Sequence, residues 1–219
     1  MENFEPVHEA LSTQEQNKEC LMIKNLVKIF GNGTRAVDNL NVNMYKGQIF
    51  ALLGHNGAGK TTTISMLTGL MSSTSGDAKV FDLNMFGQMN EVRKILGICP
   101  QHDVLFEKLT PKEHLEIFAA FKGMKSKDIK AEVNKILDDI NLTESKTHLA
   151  KNLSGGQKRK LSVGIAFIGN SQLILLDEPT SGMDLTARRG VWEMLKNYKM
   201  GKIVILTTHY MVFLILLHK

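Results

Sequence analysis

The sequence of 219 residues predicts an α/β fold, with a parallel sheet at its core, an N-terminal antiparallel β element and an inserted helical subdomain. Three observations predict it. Short β-type runs fill residues 21–53, a helical pattern covers about 104–165, and two continuously apolar runs follow residue 170. We expect a flexible lead at 1–19 and a single domain over 20–219.

The N-terminal β-type runs are separated by turn residues such as Gly31 and Gly47. They are LMIKNLVKIF at 21–30, the alternating VDNLNVNMY at 37–45 and QIFALL at 48–53. This order predicts an antiparallel element that leads into a buried strand.

The helical segment carries an apolar stripe with i, i+4, i+7, i+8, i+11 spacing, which predicts a core-facing helix. The stripe consists of Ile129, Val133, Ile136, Leu137 and Ile140. Asp138 and Asp139 fall on the polar face, where solvated carboxylates are expected rather than a functional pair. The later runs LILLD and KIVILTT are typical of strands covered on both faces.

Composition narrows the class of protein. With 43% hydrophobic and 22% charged residues the chain is of the globular type, and its net charge of +5 suits an anionic partner such as nucleic acid, a membrane surface or a nucleotide. Cys20 and Cys99 form no CxxC pair, and no histidine lies at zinc-ligand spacing from either, which weighs against a disulfide framework or a structural metal site and suggests a reducing cytosol. The longest uncharged stretch, 203–217, is shorter than the ~20 residues of a transmembrane helix, so we expect no membrane span in this chain.

The stretch GHNGAGKT at 54–61 matches GxxxxGK[ST] between a predicted strand and a predicted helix. Its glycines let backbone N–H groups wrap a phosphate, Lys60 would neutralise the β- and γ-phosphates, and the Thr61 hydroxyl would bind Mg²⁺. A glycine-rich turn that matches by chance is the alternative, and the strand, loop, helix context weighs against it. The core is therefore predicted to be that of a P-loop NTPase, a RecA-like parallel sheet. The predicted phosphate-loop residues are Gly54, His55, Asn56, Gly57, Ala58, Gly59, Lys60, Thr61 and Thr62.

The run LILLDEP at 173–179 ends an apolar strand with two carboxylates. Because neighbouring strand residues point to opposite sides, Asp177 and Glu178 are expected to do different jobs. One would hold Mg²⁺ and the other would reach the attacking water. A strand that ends in a polar turn is the alternative.

The stretch LSGGQKRK at 153–160 separates classes of phosphate-binding enzyme. Ser154 and Gln157 form an S-x-x-Q capping box, which alone would only begin a helix. A cap does not call for Gly155 and Gly156, however, since glycine is unfavourable in a helix. Glycines after a capping serine instead leave N–H groups open at a positive helix end, which predicts a second phosphate-binding surface.

These motifs, followed by TTH at 207–209, resemble the nucleotide-binding domain of an ATP-binding cassette transporter over residues 20 to about 211. The phosphate-loop His55, the CPQHD stretch and FIGNSQLILLDEPTSGMD are similar to the A subfamily, whose members mostly move lipids. The resemblance implies ATP and Mg²⁺ as ligands and a second nucleotide-binding domain as partner. It also implies a transmembrane domain as partner, a place on the cytoplasmic face of a membrane, and no nucleic acid.

The resemblance also implies roles for single residues. Gln101 would touch Mg²⁺ and the attacking water, and Phe30 would stack on adenine, although a core phenylalanine is the alternative there. The signature residues Ser154, Gly155, Gly156 and Gln157 would close on ATP held by the opposite domain, with Asp184 at the dimer seam. His209 would contact the γ-phosphate. The implied catalytic residues are Glu178, His209 and Gln101, and the implied metal ligands are Thr61, Gln101 and Asp177.

The apolar residues 212–217 depart from the family pattern, which continues into an acidic stretch and further strands. We therefore expect C-terminal strands to be missing, through truncation, splicing or a change of reading frame. The favoured hypothesis is an ATP-hydrolysing cassette that powers transport of lipids across a membrane. Two alternatives stay open: a nucleotide-binding module without turnover that pairs with a full-length partner, and a soluble cassette ATPase that acts on DNA or ribosomes.

Overall fold

The structure is a computed structural model that describes residues 9–169 and 171–208. In chain order the elements are α1 (Glu9–Gln16), β1 (Cys20–Ile29), β2 (Arg35–Tyr45), β3 (Ile49–Leu53), α2 (Lys60–Leu67), β4 (Ser75–Val80), β5 (Leu83–Asn84), α3 (Met89–Ile95), β6 (Leu96–Cys99), α4 (Pro111–Phe121), α5 (Ser126–Asp139), a 3-10 turn (Ala150–Asn152), α6 (Gly155–Phe167), β7 (Leu173–Asp177), α7 (Leu185–Tyr198) and β8 (Ile203–Thr208).

The predicted antiparallel element is confirmed as a sheet in the order β2-β1-β4-β5. Strand β1 pairs with both neighbours, so that Leu21 lies opposite Met44 on one side and Val80 on the other. A register irregularity interrupts both ladders near Asn25, whose φ of 50° is left-handed. The sheet buries the alternate residues Leu21 and Ile23 of β1, as a half-buried strand predicts, and beyond the irregularity it buries Leu26.

The predicted parallel sheet is confirmed in the order β3-β8-β7-β6. Every residue of β7 and β8 is buried, as expected for strands covered on both faces. Alternate residues enter different clusters: Ile174 and Val204 pack with the helices that follow β6, whereas Leu173 and Ile203 pack towards the antiparallel sheet. The carboxyl ends of these strands meet at one edge, where α/β proteins place their ligands.

In chain order, helices α4, α5 and α6 follow β6 and precede β7, although these two strands pair directly in the sheet. The three helices fall within the segment predicted to be helical. The apolar stripe of α5 is confirmed, because its members are buried or pack against the same cluster. Asp138 and Asp139 are less simply solvated than expected, since they accept hydrogen bonds from the hydroxyls of Thr143 and Tyr198. Within the described residues no helix is both long and apolar enough to cross a bilayer.

The segment expected to be a flexible lead contains a helix, α1, at residues 9–16. This helix lies against β2 through polar groups: Glu15 Oε1 accepts hydrogen bonds from Tyr45 Oη at 2.5 Å and Asn43 Nδ2 at 2.7 Å. Gln14 Oε1 accepts another from Lys46 N at 2.9 Å. Because the contact is polar, the segment lacks the apolar periodicity that would have marked it as a docked helix.

Candidate functional site

The loop between β3 and α2 turns through two glycines in the left-handed region, Gly57 at φ 83° and Gly59 at φ 84°. Strand β2 crosses so close that a β-carbon on Gly59 would lie 2.2 Å from Ala36 O, so the position admits only glycine. Helix α2 begins after Gly59 without a side-chain cap. The positive end of a helix that begins in this way is the kind of place where proteins bind anions.

The ammonium of Lys60 is held over this loop. Its Nζ donates to Gly54 O at 2.7 Å and to His55 O at 3.1 Å. These bonds keep a positive charge beside the backbone N–H groups, so the loop combines donors and a cation in the way that phosphate binding requires.

A cleft of about 370 Å³ opens from the loop. In this cleft the phosphate loop lies next to residues from three other parts of the chain. Their predicted roles stay predictions, but the residues lie at one place in the fold. The lining residues are Phe30, Thr34, Arg35, Ala36, Asn56, Gly57, Ala58, Gly59, Lys60, Thr61, Thr62, Gln101 and Glu178. Thr34, Arg35 and Ala36 carry no sequence motif and were not among the predicted site residues.

Phe30 lies at the cleft just after β1. Its side chain is 36% exposed, so the alternative of a core phenylalanine is wrong. The Lys28 ammonium lies 5.6 Å from the centroid of the ring, a cation–π contact that steadies the aromatic face. A flat, accessible ring at the cleft is suited to stacking on a planar base.

Asp177 ends β7 and is almost fully buried. Its Oδ1 lies 3.4 Å from Thr61 Oγ1 and accepts a 2.5 Å hydrogen bond from Thr207 Oγ1. A hydroxyl and a carboxylate are the hard oxygen donors that Mg²⁺ prefers, and Gln101, whose side chain carries an amide oxygen, lines the same cleft as Thr61. The residues present therefore fit this ion.

Glu178 is the first residue beyond β7, and its φ of 51° is left-handed. The expectation that Asp177 and Glu178 point to opposite sides of a strand therefore does not apply, because Glu178 does not belong to β7. Its N–H donates to Thr207 Oγ1 at 2.9 Å, and the residue lines the cleft. A non-glycine residue in this region is strained, and such strain concentrates at functional sites.

Arg159 is a residue to which the sequence analysis assigned no role. It is 3% exposed, and its guanidinium donates to six acceptors behind the cleft. The acceptors are Pro100 O, Gln101 O, Asp103 Oδ1, Asp177 O, Glu178 O and Pro179 O. No sequence pattern marks it, because α6 is buried on every side from Leu161 to Phe167 and its spacing does not single out one face.

The signature residues lie elsewhere than the cleft lining. Ser154 Oγ accepts from Gln157 N at 3.2 Å and Gln157 Oε1 accepts from Ser154 N at 2.9 Å, which confirms the capping box. A β-carbon on Gly155 or Gly156 would meet nothing within 4 Å, so this helix end is bare. It leaves backbone donors open to a group from outside this chain.

Asp184 is the N-cap of α7, where its Oδ1 accepts from Thr186 N and Ala187 N, both at 2.9 Å. The bond from Ala187 is the chief reason that the pKa of the Asp184 carboxyl is lowered. His209 lies outside the described residues, so its predicted role has no structural counterpart here.

Comparison with known proteins agrees with this architecture. The profile of the family described as ABC transporter matches residues 37–181. Among solved structures, one described as the ATP-binding subunit of an ABC transporter has a TM-score of 0.80 at 27% identity, covering 88% of this chain and 80% of that one. The dimeric structure of MJ0796, described as a bacterial ABC transporter cassette, has a TM-score of 0.78 at 25% identity, covering 88% and 89%.

Curated relatives are closer in sequence. ABC transporter A family member 5 of Dictyostelium discoideum is 52% identical over 93% of this chain and 12% of its own length. The human phospholipid-transporting ATPase ABCA3 is 50% identical over 87% of this chain and 11% of its own. The rat ATP-binding cassette sub-family A member 2 is 46% identical over 86% and 8%.

The chain thus spans only about a tenth of the length of these curated relatives. The relatives agree with the A-subfamily resemblance of the motifs, and the solved structures agree with the two sheets and the helices between β6 and β7. Since the family profile matches more than half of the sequence, the chain belongs to the ABC transporter family.

Proposed function

We propose that this chain binds and hydrolyses Mg·ATP as one of two cassettes, and that its turnover powers transport of a lipid across a membrane. The observation that carries the proposal is the single cleft lined by Phe30, the phosphate loop, Gln101 and Glu178. A planar base, a triphosphate and an attacking water each find a complementary group in it.

Binding begins with the triphosphate. The loop N–H groups and the Lys60 ammonium hold the β- and γ-phosphates, while the Phe30 ring stacks on the adenine. Thr61, Gln101 and Asp177 would hold Mg²⁺, which would supply positive charge to neutralise the phosphate oxygens. Thr207 and the end of β7 keep the Asp177 carboxylate in place.

In the hydrolytic step the Glu178 carboxylate orients a water molecule and accepts its proton. The water oxygen bonds to the γ-phosphorus while the bond from that phosphorus to the bridging oxygen breaks, and ADP and phosphate result. Gln101 helps to place the water. His209, by its position after β8 in the sequence, is proposed to contact the γ-phosphate.

The second cassette would supply Ser154, Gly155, Gly156 and Gln157 to the nucleotide held by the first. The bare helix end at Gly155 and Gly156 supports this arrangement, and so does the fact that these residues are not among those that line this chain's own cleft. The dimeric cassette among the similar solved structures supports it too. Asp184 would lie at the seam.

A transmembrane domain is the other proposed partner, with the cassette on the cytoplasmic side. The support is that relatives about half identical to this chain are far longer, and one is named a phospholipid-transporting ATPase. The same relatives weigh against the alternative of a cassette that acts on DNA or ribosomes.

The test compares four variants of the purified chain with the parent, in calorimetry of Mg²⁺-dependent ATP binding and in phosphate release. Glu178→Gln should bind ATP and lose turnover, and Lys60→Ala should lose both. The matched controls Glu193→Gln and Lys127→Ala alter exposed residues on α7 and α5 and should behave as the parent. Equal activity in all five proteins would sink the proposal. Binding without turnover in the parent would favour the module that does not hydrolyse ATP.

A further inference from the structure

We propose that Arg159 is a positioning residue that couples the signature end of α6 to Gln101 and Glu178 of the same domain. Contact of Ser154–Gln157 with the nucleotide of one cassette would thereby set the hydrolytic residues of the other. The inference rests on the proposed function, since it requires two cassettes that share two nucleotides.

The first support is the set of acceptors that one guanidinium joins. Its Nη1 donates to Pro100 O at 2.6 Å, Gln101 O at 3.2 Å and Asp103 Oδ1 at 3.0 Å, all in the segment after β6. Its Nε and Nη2 donate to Pro179 O at 3.2 Å and Glu178 O at 2.8 Å, and to Asp177 O, all in the segment that ends β7. One planar fork therefore ties together the two segments that carry Gln101 and Glu178.

The second support is the position of Arg159 in its helix. It lies two residues after Gln157 on the same rigid element, about 3 Å further along the axis. The capping box locks the first turn of α6, so a displacement of the signature residues must carry Arg159 with it.

The third support is burial. Arg159 Nη1 forms an ion pair with Asp103, and the two side chains are 4% and 22% exposed. Breaking buried hydrogen bonds from a charged donor is costly, because the carbonyl groups that lose the donor have no water to replace it. When α6 shifts, we therefore expect the acceptors of Arg159 to move with it while the hydrogen bonds stay intact.

The fourth support is the backbone of Glu178. Its left-handed conformation, at φ 51°, is strained and persists only when its surroundings fix it. Arg159 binds the carbonyls on either side of the Glu178 Cα, which are Asp177 O and Glu178 O. The position of Arg159 therefore controls whether the Glu178 carboxylate stays where it can orient the attacking water.

The experiment uses Arg159→Lys and Arg159→Gln in the full chain, with Arg189→Gln on the exposed face of α7 as matched control. Lysine keeps the charge but has a single ammonium, which cannot bridge both segments. We expect both Arg159 variants to bind ATP within about threefold of the parent, to lose roughly tenfold or more in kcat, and to show a Hill coefficient for ATP hydrolysis that falls from near 2 to near 1.

A residue that only stabilises the core would lower kcat through the folded fraction and leave the Hill coefficient unchanged. That result in a folded Arg159→Lys protein overturns the inference, as does a parent that hydrolyses ATP without cooperativity. If urea unfolding shows that neither variant folds, Arg159 serves the core and the inference is likewise overturned. A parent that binds no ATP overturns the proposed function instead, so the two failures are distinguishable.

Discussion

Thr207 Oγ1 donates a 2.5 Å hydrogen bond to Asp177 Oδ1 across the neighbouring strands β8 and β7. The same hydroxyl oxygen accepts the N–H of Glu178 at 2.9 Å. One fully buried threonine therefore fixes both the proposed metal ligand and the backbone of the proposed general base.

The first prediction concerns this hydroxyl. Thr207→Val keeps the shape of the side chain and removes the hydroxyl that donates to Asp177 Oδ1 and accepts from Glu178 N–H, so the free energy of unfolding should fall by about 1–3 kcal/mol. Turnover should fall by roughly tenfold or more while ATP affinity changes little. Urea unfolding and phosphate release measure the two effects. Thr207→Ser should restore both, and a Val variant with the turnover of the parent would contradict the assignment.

The second prediction concerns the adenine face. Phe30→Ala removes the accessible ring, and since stacking of a base on an aromatic ring contributes about 1–3 kcal/mol, ATP affinity should fall roughly 5- to 150-fold. Phe30→Trp should keep it. Phe121→Ala, which removes an exposed ring on α4, is the control. Calorimetry measures the affinity for ATP. An unchanged affinity in Phe30→Ala would show that the adenine does not stack on Phe30.

The third prediction separates the two roles of Ser154. Ser154→Ala loses the cap, so the free energy of unfolding should fall by about 1 kcal/mol, whereas Ser154→Asp keeps a good cap and the stability of the parent. The aspartate would repel a γ-phosphate, so only Ser154→Asp should abolish ATP-dependent dimerisation. Light scattering in a Glu178→Gln background, where ATP persists, measures the dimer. Full dimerisation of the aspartate variant would exclude a phosphate at this helix end.

The sheets, the capped α6 and the location of the phosphate loop could be predicted, because each leaves a local pattern in the sequence. The capping box at Ser154 and the apolar strand before Asp177 are such patterns. The location of Gln101 beside the loop followed from the resemblance and not from spacing, since it depends on which strands become neighbours.

What could not be predicted depends on polar contacts distant in the sequence. Helix α1 lies on β2 through Glu15 and Tyr45, and no period in the sequence records that bond. Arg159 reaches carbonyl groups of two loops, and backbone carbonyls have no residue identity that a sequence could display. The strained φ of Glu178 likewise arises from its neighbours after folding.

The fourth prediction tests the packing of α6 on β6. A β-carbon on Gly97 would lie 1.8 Å from Ala166 O, so Gly97→Ala should cost roughly 3 kcal/mol or more, or prevent folding. Gly190 in α7 has no neighbour closer than 3.9 Å, so Gly190→Ala should raise the free energy of unfolding by about 0.5–1 kcal/mol. Urea unfolding of both variants measures the difference, and a stable Gly97→Ala protein would contradict this close approach.

The last prediction concerns Lys122, whose Nζ donates to Arg93 O in α3 and to Leu96 O at the start of β6. Burial lowers the pKa of this ammonium to about 8, from 10.5 for an exposed lysine. Between these two values the unfolded chain binds more protons than the folded one, so this lysine makes stability rise with pH. The cost of burying its charge is fully present below pH 8 and is relieved as pH approaches 10.5.

Other groups titrate in the same range, so the measurement is the difference in the free energy of unfolding between the parent and Lys122→Met. The free energy of unfolding of the parent, relative to that of Lys122→Met, should rise by about 1–2 kcal/mol from pH 7.5 to 10.5. This figure allows for solvent screening of a partly exposed group. Urea unfolding at half-unit steps of pH gives the curve. A flat difference would show that the ammonium stays protonated in the folded state, and a falling one would reverse the sign of the coupling.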